Sequence, residues 1–274
     1  MGKSLKQSIK NIIRDIRPFK SLHYMLMASL GCYFSRNFQV VTWILCLIAI
    51  FLAWQFDFRI NDVFDVEIDK IAHADRLLVR DKITRRTYII ILIVILSIIF
   101  GISIIIGWIS ALIIAIYIGL GILYSIPPLR IRQYIIASIF IGATSTIAFF
   151  FGYLSLTTIF SGEIFIIGLL IFLGLSMGTV IKDYKDYEGD KAENIRTIFT
   201  TFGVEWGLII SYILLLITFL LPIVLIHQII DIIIIVGSAI LTIIVFKLKK
   251  NVTHVFLLYF IVLFYSFMRY EGFF

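Results

Sequence analysis

Residues 87–106 read TYIIILIVILSIIFGISIII, twenty positions without a charged side chain. An α-helix rises about 1.5 Å per residue, so such a run reaches about 30 Å, the thickness of a bilayer's hydrocarbon core. Its Ile and Leu residues follow one another without period-two alternation, which excludes the wall of a β-barrel. Comparable runs lie at 21–35, 37–56, 107–125, 134–154, 162–182, 206–226, 228–247 and 253–271. The first is the shortest and carries His23 and Ser29. Together they predict an all-α integral membrane protein with nine transmembrane helices.

Composition agrees. Of 274 residues, 61% are hydrophobic and 15% charged, and the mean hydropathy is +1.06. A soluble domain has too little interior to hide that excess, and a disordered chain or a disulfide scaffold is excluded on the same ground. The two cysteines, Cys32 and Cys46, sit in apolar stretches without ligand spacing and read as buried thiols. The net charge of +7 is unaccompanied by a basic face or a stacking pattern, so no nucleic-acid partner is expected. Residues 3–20 form an amphipathic lead-in with no cleavage site, unlike a signal peptide.

The basic residues supply the orientation. With nine spans, 22 of the 24 Lys and Arg residues fall on one side, and only Arg36 and Arg269 on the other. Positive charge stays in the cytoplasm, so the N-terminus is expected inside and the C-terminus outside a multi-pass cell-membrane protein.

Acidic residues are more concentrated still. Seven of the 17 Asp and Glu lie between Asp57 and Asp81, and five between Asp183 and Glu193. The first cluster runs Asn61-Asp62-x-x-Asp65-x-Glu67-x-Asp69-Lys70, the second Asp183-x-x-Asp186-x-Glu188-x-Asp190-Lys191. Every acidic position recurs at an offset of 121 residues. This suggests a duplicated four-helix unit, 1–125 and 134–247, with a ninth helix at 253–271 appended to a single domain. Duplicated membrane folds place their sites where the repeats meet.

On a helix, positions i, i+3 and i+7 share one face. Asp62, Asp65 and Asp69 therefore project together with Asn61, and Asp183, Asp186 and Asp190 do likewise. Such rows repel themselves and call for cations. Their hard oxygen donors select Mg²⁺ or Ca²⁺, and the lack of His and Cys argues against zinc. One such segment reads equally well as a solvated surface loop; two copies in the same register, each abutting an apolar span, point to function. Arg76 and Lys182 lie closest to the rows and suit the charge of a diphosphate leaving group. A third polar segment, Tyr124-Ser125-Ile126-Pro127-Pro128-Leu129-Arg130, follows the fourth span, where the prolines end the helix.

These motifs resemble those of the UbiA superfamily of intramembrane prenyltransferases. Motif order and helix count agree over nearly the whole chain. The resemblance implies nine helices around a central cavity, with both acidic motifs on cytoplasmic cap loops holding Mg²⁺ and an isoprenyl diphosphate donor. Diphosphate would leave, and an allylic cation would pass to an acceptor, either a lipid or an aromatic acid. It further implies metal binding by Asn61, Asp62, Asp65, Asp69, Asp183, Asp186 and Asp190. Substrate binding falls to Arg76, Lys182, Tyr124 and Arg130, and catalysis to Asp65, Asp186 and Lys182. The stretch from Lys182 to Arg196-Thr197 is most similar to the archaeal members whose acceptor is a glycerol-phosphate ether. The chain departs from the family at Leu77, Val79 and Asp81, where prolines and a glycine are usual. It departs again at Gly178-Thr179, where the archaeal lipid enzymes carry Arg-Glu. Two other classes fit the residues less well: a CDP-alcohol phosphotransferase, whose continuous Asp-Gly…Ala-Arg run is missing, and a divalent-cation transporter, which would place its carboxylates nearer the midplane.

Overall fold

The computed structural model describes residues 5–71, 75–226, 228–249 and 251–273. Among them every regular element is helical. In chain order these are α1 (Leu5–Arg14), α2 (Pro18–Phe34), α3 (Val40–Phe64), α4 (Val66–Ile71), α5 (Arg85–Ile106), α6 (Trp108–Ser125), α7 (Ala137–Leu154), α8 (Gly162–Gly178), α9 (Asp183–Ala192), α10 (Ile198–Leu220), α11 (Ile229–Lys249) and α12 (Val252–Tyr270). Eight helical segments among the described residues are long and apolar enough to cross a bilayer. The span predicted at 21–35 corresponds to α2, which at 17 residues is shorter than those eight. Their outer faces are apolar and open, as at Ile105 (76% exposed) and Trp108 (75%). Water would penalise such surface and lipid would not.

Local chemistry sets the helix boundaries. Pro18 opens α2, where its missing N–H costs nothing. The Thr84 hydroxyl accepts the Thr87 N–H at 3.2 Å and caps α5. Thr197 and Thr200 close a reciprocal capping box on α10. The Asn251 side chain accepts the Thr253 N–H at 2.9 Å and starts α12.

The chain divides into two compact units. The first comprises residues 1–131 and 144–165, the second 132–143 and 166–274. In the first, α3 packs against α2, α5 and α6. Where α2 meets α7, a Cβ added at Gly31 would stand 1.9 Å from the Phe149 carbonyl oxygen, and one at Gly152 1.9 Å from that of Ala28. Glycine at both positions permits this backbone contact, the usual basis of close helix association in lipid. The amphipathic α1 is tied to α3 by Arg59, which is 1% exposed. Its guanidinium donates to the Ile12 carbonyl at 3.1 Å and to Gln55 Oε1 at 2.9 Å.

In the second unit α11 packs against both α10 and α12. Asp231, only 1% exposed, accepts Arg269 Nε at 2.9 and 3.1 Å and the Tyr265 hydroxyl. This clamps the start of α11 to the end of α12. Removing one member of a buried pair strands the other, at a cost of about 3–5 kcal/mol. Asp231→Ala is therefore expected to lower the melting temperature in detergent by several degrees, measured by circular dichroism. An unchanged melting curve would contradict the clamp.

Candidate active site

The first acidic row rides on the end of α3, which continues past the predicted span to Phe64. The single uninterrupted helical face expected for this row is corrected by the structure. Asp65 takes φ −103° and ψ 7° and separates α3 from α4. The hydrogen-bond ladder nevertheless runs through the break: Asp65 N–H reaches Asn61 O at 3.0 Å, and Asp69 N–H reaches Asp65 O at 2.8 Å. The row bends without dispersing.

Two guanidinium groups gather it. Arg76 Nε lies 3.4 Å from Asp62 Oδ1 and 3.6 Å from Asp69 Oδ2, while Arg130 Nη2 pairs with Asp65 Oδ1. Asp62 is 2% exposed, and its second oxygen accepts the Tyr88 hydroxyl at 3.2 Å. Carboxylates this far from water need such cations, because burying an unpaired charge costs several kcal/mol. Arg130 arrives from the turn after α6. Pro127 and Pro128 stop that helix, and Arg130 itself adopts φ 39°, in the left-handed region rare for non-glycine residues. Strain of this kind accumulates at functional sites.

Two residues outside the acidic motifs, Arg17 and Phe58, join this region. The Phe58 ring carries the Arg17 guanidinium at 4.4 Å and that of Arg76 at 5.0 Å, and Trp54 stacks on it at 5.6 Å. One aromatic ring thus steadies two cations beside the acidic row. The available signal was spacing, since Phe58 precedes Asp62 by one helical turn. Arg76 Nη1 is buried and donates no hydrogen bond, so a donor remains for an anionic oxygen. Tyr124 is half-buried in the same unit and lies within electrostatic reach of Tyr24.

The second row lies in the second unit. A short 3₁₀ turn, Val180–Lys182, follows α8 and leads into α9. Asp183 and Asp186 occupy the first turn of α9, where the helix dipole favours anions. Tyr184 anchors α9 through edge-on contacts with Phe199 at 5.8 Å and Phe246 at 5.6 Å. Asp190 feels the negative fields of Asp183, Asp186 and Glu193, with Lys182 the opposing cation. Among the described residues no ion pair within 4 Å engages Asp183, Asp186 or Asp190. The first row is neutralised by arginines, and the second keeps its negative charge open. Among the described residues no three His, Cys, Asp or Glu side chains are grouped closely enough to hold a metal ion.

The described residues thus form an all-helical fold with eight candidate membrane spans, one acidic motif paired with arginines and a second without an ion pair among them. The profile of the UbiA prenyltransferase family matches residues 22–255. The chain belongs to this family and is a prenyltransferase. It is similar to digeranylgeranylglyceryl phosphate synthase of Methanosphaera stadtmanae, with 30% identity over 76% of this chain and 75% of the relative. The enzyme of that name from Sulfurisphaera tokodaii is 29% identical over 77% of this chain and 76% of the relative. Among solved structures, a UbiA homologue from Archaeoglobus fulgidus bound to GPP and Mg²⁺ superposes with a TM-score of 0.73 at 20% identity. The alignment covers 95% of this chain and 99% of that one, and establishes a shared fold.

Proposed function

We propose that this protein transfers a prenyl group from an isoprenyl diphosphate to a membrane-associated acceptor, releasing diphosphate with the help of Mg²⁺. The observation that carries this reading is the gathering of Asp62, Asp65 and Asp69 by Arg76 and Arg130 at the end of an apolar helix. The residues suit the metal: the donors are hard oxygens, and three carboxylates of α9 have no cation among the described residues within ion-pair distance. Asn61, Asp65, Asp69, Asp183, Asp186 and Asp190 would hold it, while Asp62, engaged by Tyr88 and Arg76, supports the row. Bound Mg²⁺ supplies charge neutralisation for the departing diphosphate.

The chain's own residues do the rest. The free Nη1 of Arg76 and the ammonium of Lys182 bind diphosphate oxygens. Tyr124 and Arg130 line the polar end of the site, and apolar helix faces take the donor's tail without trapping an allylic cation. Asp65, Asp186 and Lys182 carry the catalytic electrostatics. The two acidic motifs belong to the proposed repeat units, and the positive-inside pattern of the basic residues beside them supports a cytoplasmic face for both, with the N-terminus inside.

For the acceptor, the basic groups outnumber what one diphosphate requires, and the relatives bear the name of a glyceryl phosphate synthase. Both favour a glycerol-phosphate ether over an aromatic acid such as 4-hydroxybenzoate. The family match does not favour a cation transporter. Purified protein given Mg²⁺, geranylgeranyl diphosphate and equal amounts of both acceptors is expected to yield the ether conjugate by at least about tenfold, about 1.4 kcal/mol in discrimination. Preferential prenylation of 4-hydroxybenzoate would overturn the acceptor while leaving prenyl transfer intact.

A further inference from the structure

Asp57 takes no part in the site described above. It sits on α3 one turn before Asn61 and two before Asp65, so all three share a face. Four residues of helix put it about 6 Å nearer the bilayer interior than Asn61. Its Oδ1 is buried and accepts no hydrogen bond. Space for its carboxylate comes from α6, where a Cβ on Gly121 would stand 2.2 Å from Asp57 Cγ.

Two tyrosines lie near this position, and a threonine backs one of them. Tyr24 of α2 and Tyr117 of α6 are within electrostatic reach of Asp57, and their rings meet edge-on at 5.8 Å. Thr144 approaches the Tyr24 hydroxyl at 3.5 Å. A carboxylate oxygen within a membrane helix that makes no hydrogen bond stabilises nothing and costs free energy. A glycine on the facing helix is what admits it.

Resting on the proposed prenyl transfer, we propose that Asp57 is the catalytic base toward the acceptor hydroxyl. A diphosphate held near Asn61 and Asp65 presents its C1 carbon about one turn deeper, at the level of Asp57. The C1–O bond breaks and its electron pair leaves on diphosphate. A lone pair of the acceptor oxygen forms the new C1–O bond, and the hydroxyl proton passes to Asp57. After product departs, Asp57 returns that proton to water. Tyr24 and Tyr117 orient the acceptor hydroxyl, and Gly121 is a positioning residue that keeps the carboxylate in place.

The test compares wild type with Asp57→Asn, Asp57→Glu and Gly121→Ala, using geranylgeranyl diphosphate and a geranylgeranyl glycerol-phosphate ether. General-base catalysis contributes about 100- to 10,000-fold, so Asp57→Asn is expected to lose at least about 100-fold in transfer. Its Mg²⁺-dependent binding of radiolabelled donor should stay within about twofold of wild type, and its slow release of prenyl alcohol should persist. Asp57→Glu should recover part of the lost transfer, and Gly121→Ala should lower kcat with donor KM unchanged. Transfer by Asp57→Asn near the wild-type rate would overturn the assignment, as would loss of donor binding together with transfer. A wild type that binds no prenyl diphosphate would instead overturn the functional reading, and this proposal with it.

Discussion

Replacing Asp186 with alanine is expected to reduce prenyl transfer by about a thousandfold or more while leaving helicity and melting temperature close to wild type. The two halves of that expectation come from one geometry. Asp186 is exposed on α9, with Asp183 and Asp190 as acidic neighbours and, among the described residues, no ion pair of its own. Its removal relieves repulsion and forfeits only the favourable helix-dipole interaction of the first turn, about 0.3–1 kcal/mol, so stability changes little. The reaction does, because metal-assisted charge stabilisation is worth several kcal/mol of barrier and each 1.36 kcal/mol is tenfold in rate. A radiolabelled transfer assay read beside a circular-dichroism melt checks both halves. Full activity of the variant would remove the second acidic row from the site.

Arg76→Ala should behave differently, losing both activity and stability. Its guanidinium spans Asp62 and Asp69 and rests on Phe58. The Asp62 side chain is 1% exposed, and truncating its cationic partner leaves it with the Tyr88 hydroxyl alone. Breaking buried pairs costs about 3–5 kcal/mol. Because Arg76 is partly open to water, with 22% of its side chain exposed, the loss should fall towards the lower end of that range. Transfer should drop by about 100-fold or more, since the free Nη1 donor goes too. Arg76→Lys restores a charge but neither the planar fork nor the stacking on Phe58. It is expected to recover more of the melting temperature than of the rate. Equal recovery of both would contradict separate roles for the two edges of the guanidinium.

Much of this architecture is legible in the chain. Long charge-free runs specify membrane helices because lipid tolerates no unsatisfied backbone; the second acidic row lies on one helix, α9, whereas the first is bent at Asp65. What periodicity cannot show is which distant group answers each carboxylate. Asp62 is met by Tyr88, 26 residues away, and Asp65 by Arg130, 65 away. Those pairings follow from how α3 packs against α5 and α6. The break at Asp65 was equally hidden, since nothing in Val-Phe-Asp-Val distinguishes a helix end from its interior. The roles of Arg17 and Asp57 are hidden in the sequence for a related reason. Each acquires meaning from one neighbour, Phe58 for the first and Gly121 for the second, and neither neighbour stands out in the sequence. Arg59, another charge inside an apolar stretch, proves to be a tie between α3 and α1.

The central claim is tested most directly by mass spectrometry of the product. Purified protein in lipid nanodiscs is incubated with geranylgeranyl diphosphate and a geranylgeranyl glycerol-phosphate ether, once with Mg²⁺ and once with excess EDTA. A new species heavier than the acceptor by one geranylgeranyl group less one hydrogen is expected, formed with stoichiometric diphosphate and abolished by EDTA. An acceptor of unchanged mass in the presence of Mg²⁺, with donor intact, would contradict it.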